Sequence, residues 1–112
     1  AGGDALAGKT MMLAVTAAGS EEAYSTDGYQ HFPLRTFLTP LEQTARLCKM
    51  RFAAPYVLYG ALRAPVEGSA GPHVDGYVTL IEAIRDDRYD FDAAETMETV
   101  GPARLPLRQG AA

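Results

Sequence analysis

The sequence predicts an α/β domain in which a strand, a helix, a second strand and a second helix follow one another, as in two parallel strands joined by a helical crossover. Three observations carry this. Thr10 to Val15 is almost wholly apolar, as a strand covered on both faces is. Phe37, Leu38, Leu41, Ala45 and Cys48 recur at near-helical spacing. After a second aromatic and β-branched run, Val74, Tyr77, Val78, Ile81 and Ile84 recur at helical spacing again.

The elements follow in chain order. Thr10 to Val15 ends in a loop of small residues. Ser20 to Pro33 has neither periodicity and holds Asp27, Gly28 and His31 among hydroxyl residues, which marks a long loop of the kind that often carries function. Thr36 to Lys49 is predicted as an amphipathic helix with Glu42 and Arg46 on its wet side. Within it Thr39-Pro40-Leu41-Glu42 reads as a capping box with proline at the first helical position, worth ~1 kcal/mol. Phe52 to Gly60 is strand-like, but Pro55 cannot donate to a ladder, so this strand is expected at an edge or starting at Tyr56. A Gly/Pro/Ser-rich linker leads to the second helix, His73 to Asp87. Beyond Arg88, acids alternate with small residues and give way to Gly, Pro and Arg without apolar periodicity. The expected organisation is a partial domain over 1–88 and a disordered tail over 89–112. There are no internal repeats or heptads.

Composition bounds the rest. The chain has 112 residues, whereas a doubly wound sheet needs about five βα units of roughly 30 residues each, and it opens on Ala1 without Met. The expectation is a fragment that lacks upstream sequence. Two strands leave a sheet edge and a face open, so the isolated chain is expected to be marginal, dimeric or partly molten. Hydrophobic residues make up 47% and charged residues 21%, with no run near the ~18 apolar residues of a membrane span, so no membrane insertion is expected. A net charge of -4 with scattered Lys and Arg argues against nucleic acid. The lone Cys48 forms no internal disulfide and reads as a packed helix residue. Two histidines and one cysteine give no metal-ligand spacing. Without a secretory signal the cytoplasm is the default expectation.

Gly3-Asp4-Ala5-Leu6-Ala7-Gly8-Lys9-Thr10 matches the P-loop pattern, whose N–H groups cradle phosphates. That chemistry needs a strand before the loop and a helix after it. Here Thr10 onward reads as strand, and no later apolar strand ends in a metal-binding Asp. A surface turn is the better reading, and nucleotide binding stands as an alternative.

Val15-Thr16-Ala17-Ala18-Gly19-Ser20-Glu21-Glu22-Ala23-Tyr24, then Asp27-Gly28-Tyr29, then Pro40 to Cys48, resembles the bacterial NAD(P)H:quinone reductases with a flavodoxin-like fold. That family includes the ancillary subunits of glutathione-gated potassium efflux systems. The likeness runs from about Gly2 to Arg63 and weakens through the second helix. It implies the C-terminal β-α-β-α portion of a flavodoxin-like doubly wound sheet, truncated at its N-terminus, with Thr10 to Val15 and Phe52 to Tyr59 as the fourth and fifth strands. It further implies FMN or FAD as cofactor, NAD(P)H as donor, a quinone as acceptor, a homodimer, and a potassium efflux protein as a possible partner. Thr16, Ala17, Ala18, Gly19 and Tyr24 would face the flavin ring, and Tyr24 and His31 are the candidate catalytic residues. Without the phosphate-binding half, the fragment is expected to be inactive. The chain departs from the family at three points. Thr16-Ala17-Ala18-Gly19 replaces Thr-Thr-Gly-Gly, so a positive φ at Ala18 would strain the turn by ~1 kcal/mol or more. Gln30 takes the position of a relay histidine, with His31 one residue later. Lys49 replaces a helix-ending glycine.

Overall fold

The strand-helix-strand-helix order is present, with each strand interrupted once. The computed structural model describes residues 4–109. Strands β1 (Thr10–Met11) and β2 (Ala14–Thr16) run parallel to β3 (Arg51–Phe52) and β4 (Tyr56–Leu58). Thr10 stands opposite Arg51, and Val15 opposite Val57. Backbone bonds from Ala53 to Met11 (3.0 Å) and from Tyr56 to Leu13 (2.8 Å) carry the ladder across the break at Pro55, which has no N–H to give. The second strand therefore resumes at Tyr56, one of the two expected outcomes. The other, an edge position, does not hold: Val57 donates to the Val100 carbonyl (3.0 Å) and Val100 donates to that of Pro55 (2.9 Å), so residue 100 lies on the far side of β4.

The first strand was expected to be buried on both faces. Met11 and Val15 are instead half-buried and Ala14 and Thr16 exposed, because among the described residues β1 and β2 pair only with β3 and β4.

A 3-10 turn over Leu34–Leu38 runs into α1 (Thr39–Leu47). The capping box does not form. An N-cap needs extended backbone, whereas Thr39 is already helical (φ -52°, ψ -41°) and its hydroxyl donates to the Thr36 carbonyl at 2.6 Å. Glu42 turns to Arg35 and Arg46. The linker contains a 3-10 turn (Ala61–Arg63) and a short helix, α2 (Ala64–Glu67), ahead of α3 (Ala70–Arg85), which starts three residues earlier than the periodicity indicates.

The face α3 buries is also not the predicted one. Gly76, Leu80 and Ala83 are buried, while Val74, Val78, Ile81 and Ile84 remain 36% to 59% exposed. Small residues let the backbone of α3 come close to Tyr56 and Pro102. A Cβ on Gly76 would run into the Tyr56 hydroxyl and lie 2.9 Å from Pro102 Cα.

The tail from residue 89 requires the largest correction. It carries α4 (Phe91–Thr96), capped by Asp90, whose carboxylate accepts from Ala93 N at 3.0 Å. Tyr89, Ala94 and Val100 are buried and join Ala53, Ala54, Tyr56, Leu80 and Ala83 in one core. The boundary at 88/89 thus cuts through this core. The ordering signals are single residues, an Asp cap and the Tyr89–Phe91 ring pair (5.0 Å), over a stretch too short to show periodicity. Residues 110–112 of the expected tail lie outside the described residues. Tyr89 is the odd member of this core, because its hydroxyl has no partner among the described residues and burial pushes its pKa up to about 12.

Candidate functional site

Strand β2 leads directly into the loop that the sequence singles out. Ala17, buried, donates to the Leu58 carbonyl (2.8 Å) and accepts from Ala61 N (3.0 Å), and the Gly19 carbonyl accepts from Gly60 N (2.9 Å). These bonds fix residues 17–19 against the end of β4. They leave the N–H groups of Ala18, Gly19 and Ser20 without a hydrogen bond among the described residues, at the C-terminal end of the parallel strands. Among the described residues, those with positive φ outside glycine are His31, Lys49 and Asp87. Ala18 is not one of them, so the strain expected there does not arise. Lys49, where the resembling family is expected to carry glycine, is in the left-handed conformation (φ 60°).

Tyr24 packs onto this turn. A Cβ on Gly19 would lie 3.2 Å from its ring, and the rings of Tyr59 and Phe37 stand 5.9 Å and 6.0 Å from it. The loop doubles back because Gln30 donates to the Ala23 carbonyl (2.8 Å) and Gly28 passes so close that a Cβ would lie 2.6 Å from that same oxygen. Thr16 to Gly19 and Tyr24 therefore come together. His31 does not join them: it is exposed and outside the adjoining cavity.

That cavity, about 490 Å³, opens between residues 21–25 and the segment 97–104. Sequence reasoning missed half of it. Tyr59 comes from the end of the second strand, and Thr99 and Arg104 come from the stretch read as a disordered tail, where nothing in the residue pattern marks them. The Tyr59 hydroxyl lies 3.4 Å from Thr99 Oγ1 and Arg104 Nη2 lies 3.5 Å from the same oxygen, while Arg104 Nη1 pairs with Glu21 at 2.9 Å. Burial pushes the Tyr59 hydroxyl upward, and the Glu21 and Glu98 carboxylates add to this against the pull of Thr99 and Arg104.

Arg35 ties the loop to the C-terminal segment. Its guanidinium donates to the carbonyls of Glu95 (2.8 Å), Met97 (2.5 Å) and Phe52 (3.3 Å), lies over the Phe52 ring, and pairs with Glu42. Its backbone N–H donates to Glu98 (2.8 Å). Burial works to raise the Glu42 pKa, but Arg46 and Arg35 outweigh it and hold the carboxyl below its usual range.

The P-loop reading fails on local structure. Gly8 turns the chain with φ 81° and donates to the Lys49 carbonyl (3.0 Å), and Thr10 then enters β1 where a P-loop requires a helix. Gly3 of that motif lies outside the described residues. Among the described residues, no group of three His, Cys, Asp or Glu is placed to hold a metal, and no helix is long and apolar enough to cross a membrane.

Residues 1–74 match the family described as flavodoxin-like fold. The chain belongs to that family. Its flavodoxin-like character agrees with the parallel strands, the helical crossover and the site at their C-terminal ends. Curated relatives point to the branch that the loop motifs resemble. The glutathione-regulated potassium-efflux system ancillary protein KefG of Serratia proteamaculans is 41% identical over 66 residues, 59% of this chain and 36% of the relative. That of Pectobacterium carotovorum is 40% identical over 62 residues, 55% and 34% of the two chains. That of Yersinia pestis is 34% identical over 82 residues, 73% and 44%. This flavodoxin-like chain thus matches about a third to under half of the length of these relatives. No solved structure matches it.

Proposed function

We propose that this chain carries the ring-facing side of a flavin-dependent NAD(P)H:quinone oxidoreductase that acts as a homodimer in the cytoplasm. One observation carries the reading: the open N–H groups of the Ala18-Gly19 turn stand at the C-terminal ends of parallel strands with Tyr24 packed beside them. Open α/β sheets take ligands at that position. FMN or FAD, when bound, supplies the two-electron relay between NAD(P)H and a quinone. The residues present fit such a group, because Ala18 is small and exposed and the N–H groups of Ala18 and Gly19 have no hydrogen-bond partner among the described residues. Donors at Ala18 and Gly19 would stabilise negative charge on a polar ring edge, by ~3 kcal/mol each at most. Ala17, buried and bonded to Leu58 and Ala61, would anchor the turn that faces the ring. The Tyr24 hydroxyl would offer a hydrogen-bond donor beside the ring, and His31 lies outside the cavity.

The test is flavin titration and NAD(P)H-dependent quinone reduction by the protein in its natural sequence context. Tyr24→Phe should leave flavin affinity unchanged and lower turnover by about tenfold or more. Absence of turnover with both FMN and FAD would remove the enzyme reading.

The names of the relatives support a second reading, an ancillary subunit that acts by binding a potassium efflux protein. The exposed Val74, Val78, Ile81 and Ile84 on α3 offer it an apolar face. Capture of the soluble domain of such a transporter, lost on Val78→Glu, would favour this role.

A further inference from the structure

Residues 20–32, the loop that carries Tyr24, are hydrogen-bonded to themselves. Ala23 donates to the Ser20 carbonyl (3.1 Å), Gly28 to that of Ser25 (3.1 Å), Gln30 to that of Ala23 (2.8 Å) and His31 to that of Gly28 (3.0 Å). The Ser25 hydroxyl donates to the Glu22 carbonyl (2.9 Å). Among the described residues, one polar contact leaves the loop: Glu21 pairs with Arg104 at 2.9 Å, across the cavity that both line. Each of these side chains is 49% exposed, and an ion pair so open to water holds weakly and is screened by salt. The remaining attachments are aromatic. Tyr24 rests on Gly19 and Tyr59, and the rings of Tyr24 and Phe32 both meet Phe37, at 6.0 Å and 6.2 Å. Phe37 belongs to the anchored side, in the same 3-10 turn as Arg35. The loop also has backbone that turns readily at both ends, Gly19 without a Cβ and His31 at φ 67°, a conformation histidine adopts more often than most residues. A self-bonded loop with turning ends and a single weak polar tie has the construction of a hinged cover.

We propose that residues 20–32 are a lid that swings as one body about Gly19 and His31 and is latched shut by the Glu21–Arg104 pair. Closed, it forms one wall of the cavity and covers the cluster of Ala17, Leu34 and Val57, against which Tyr24 packs. Open, it widens the cavity and bares that cluster. The segment 97–104 is the fixed jaw, because Val100 is buried and bonded to both Val57 and Pro55. Ionic strength sets the balance between the two positions. The lid is a property of the fold and does not rest on the reductase reading.

The rate at which a thiol beneath the lid is labelled reads the population of the open form. Val57 is 4% exposed and Val57→Cys nearly conserves its volume, while Cys48→Ser removes the one native thiol. The probe is N-ethylmaleimide, which is uncharged, so salt acts on the protein alone. Raising NaCl from about 20 mM to about 0.5 M should speed labelling about two- to threefold. Arg104→Gln should give the same increase at low salt and abolish the response to salt. Glu21→Arg combined with Arg104→Glu rebuilds the pair in reverse and should return labelling to within about 1.5-fold of the parent. Ala17→Cys, in the same cluster, is a second reporter should Val57→Cys fail to fold. Hydrogen exchange separates a swinging lid from a melting loop: in Arg104→Gln the bonded amides of Gly28, Gln30 and His31 should keep their protection, as should those of α3. Labelling indifferent to salt or to Arg104→Gln, no recovery in the reversed pair, or loss of protection across 20–32 would overturn the proposal. Failure of the reductase reading is a separate result, absent flavin-dependent turnover with the labelling pattern intact.

Discussion

Two regions of this molecule are held together by different means. Beneath α3, eight residues from Ala53 to Val100 form a close-packed core in which Ala53, Ala54, Tyr56, Leu80 and Ala94 are wholly inaccessible. Around the candidate site the buried apolar cluster is Ala17, Leu34 and Val57, and Val15, Tyr24 and Tyr59 are half-covered. The core is held by contact, whereas the site is held by hydrogen bonds from Arg35 and Ala17, and by one that the Gly19 carbonyl accepts, which tie loops to strand ends. A region held by a few polar ties can be released locally, while a close-packed one fails as a unit. That distinction is open to experiment.

The largest effect is expected in the packed region. Gly76→Ala would drive a methyl into the Tyr56 hydroxyl and the Pro102 backbone. Tyr56 cannot yield without breaking its hydrogen bond to the His73 carbonyl (2.6 Å). We expect a loss of about 2 kcal/mol, or about 10 °C in Tm, in one cooperative transition. An unchanged Tm would show that α3 does not approach β4 this closely.

Arg35→Met should act locally. It leaves the Glu95 and Met97 carbonyls without their donor, at about 1 kcal/mol each, and frees the loop that carries Tyr24. Cleavage by a broad-specificity protease within 20–38 should rise by about tenfold while the cleavage rate in α3 is little changed. Arg35→Lys should recover only part of the protection, because an ammonium cannot span three carbonyls as the planar fork does. Uniform acceleration across the chain would mean that the two regions are one unit.

The two regions also differ in how legible they were. The first helix, the parallel strands, the long loop and the Ala17–Tyr24 cluster are visible in the sequence because each rests on a local pattern or a contiguous motif. The buried face of α3 is not. Periodicity selects the large apolar residues, but the structure buries Gly76, Leu80 and Ala83, whose value is the close approach they permit and not the area they cover. Thr99 and Arg104 were illegible for a related reason. They reach the site because Val100 pairs beside Tyr56, a contact between residues 44 apart in sequence that composition does not encode. The capping box was misread because Thr39 follows an existing helical turn and so lacks the extended backbone of a cap.

The smallest effect belongs to His73, on the packed side. Its ring lies 4.5 Å from that of Tyr56, its Nδ1 has no partner among the described residues, and burial lowers its pKa. A lowered folded pKa means that the unfolded chain binds the proton more readily. The associated stability is therefore complete above the unfolded value, about 6.5, and falls as pH drops from there toward the folded pKa. Glu42 and Glu95 also lose their contributions on acidification, but at lower pH, because both carboxyls are held below their usual range. Denaturant titrations at pH 7.5, 6.5 and 5.5 should show a small decline that His73→Gln removes and Gly76→Ala does not. If His73→Gln keeps the whole decline, another group must gain a proton on unfolding in that range, and His73 is more open to water than its packing against Tyr56 indicates.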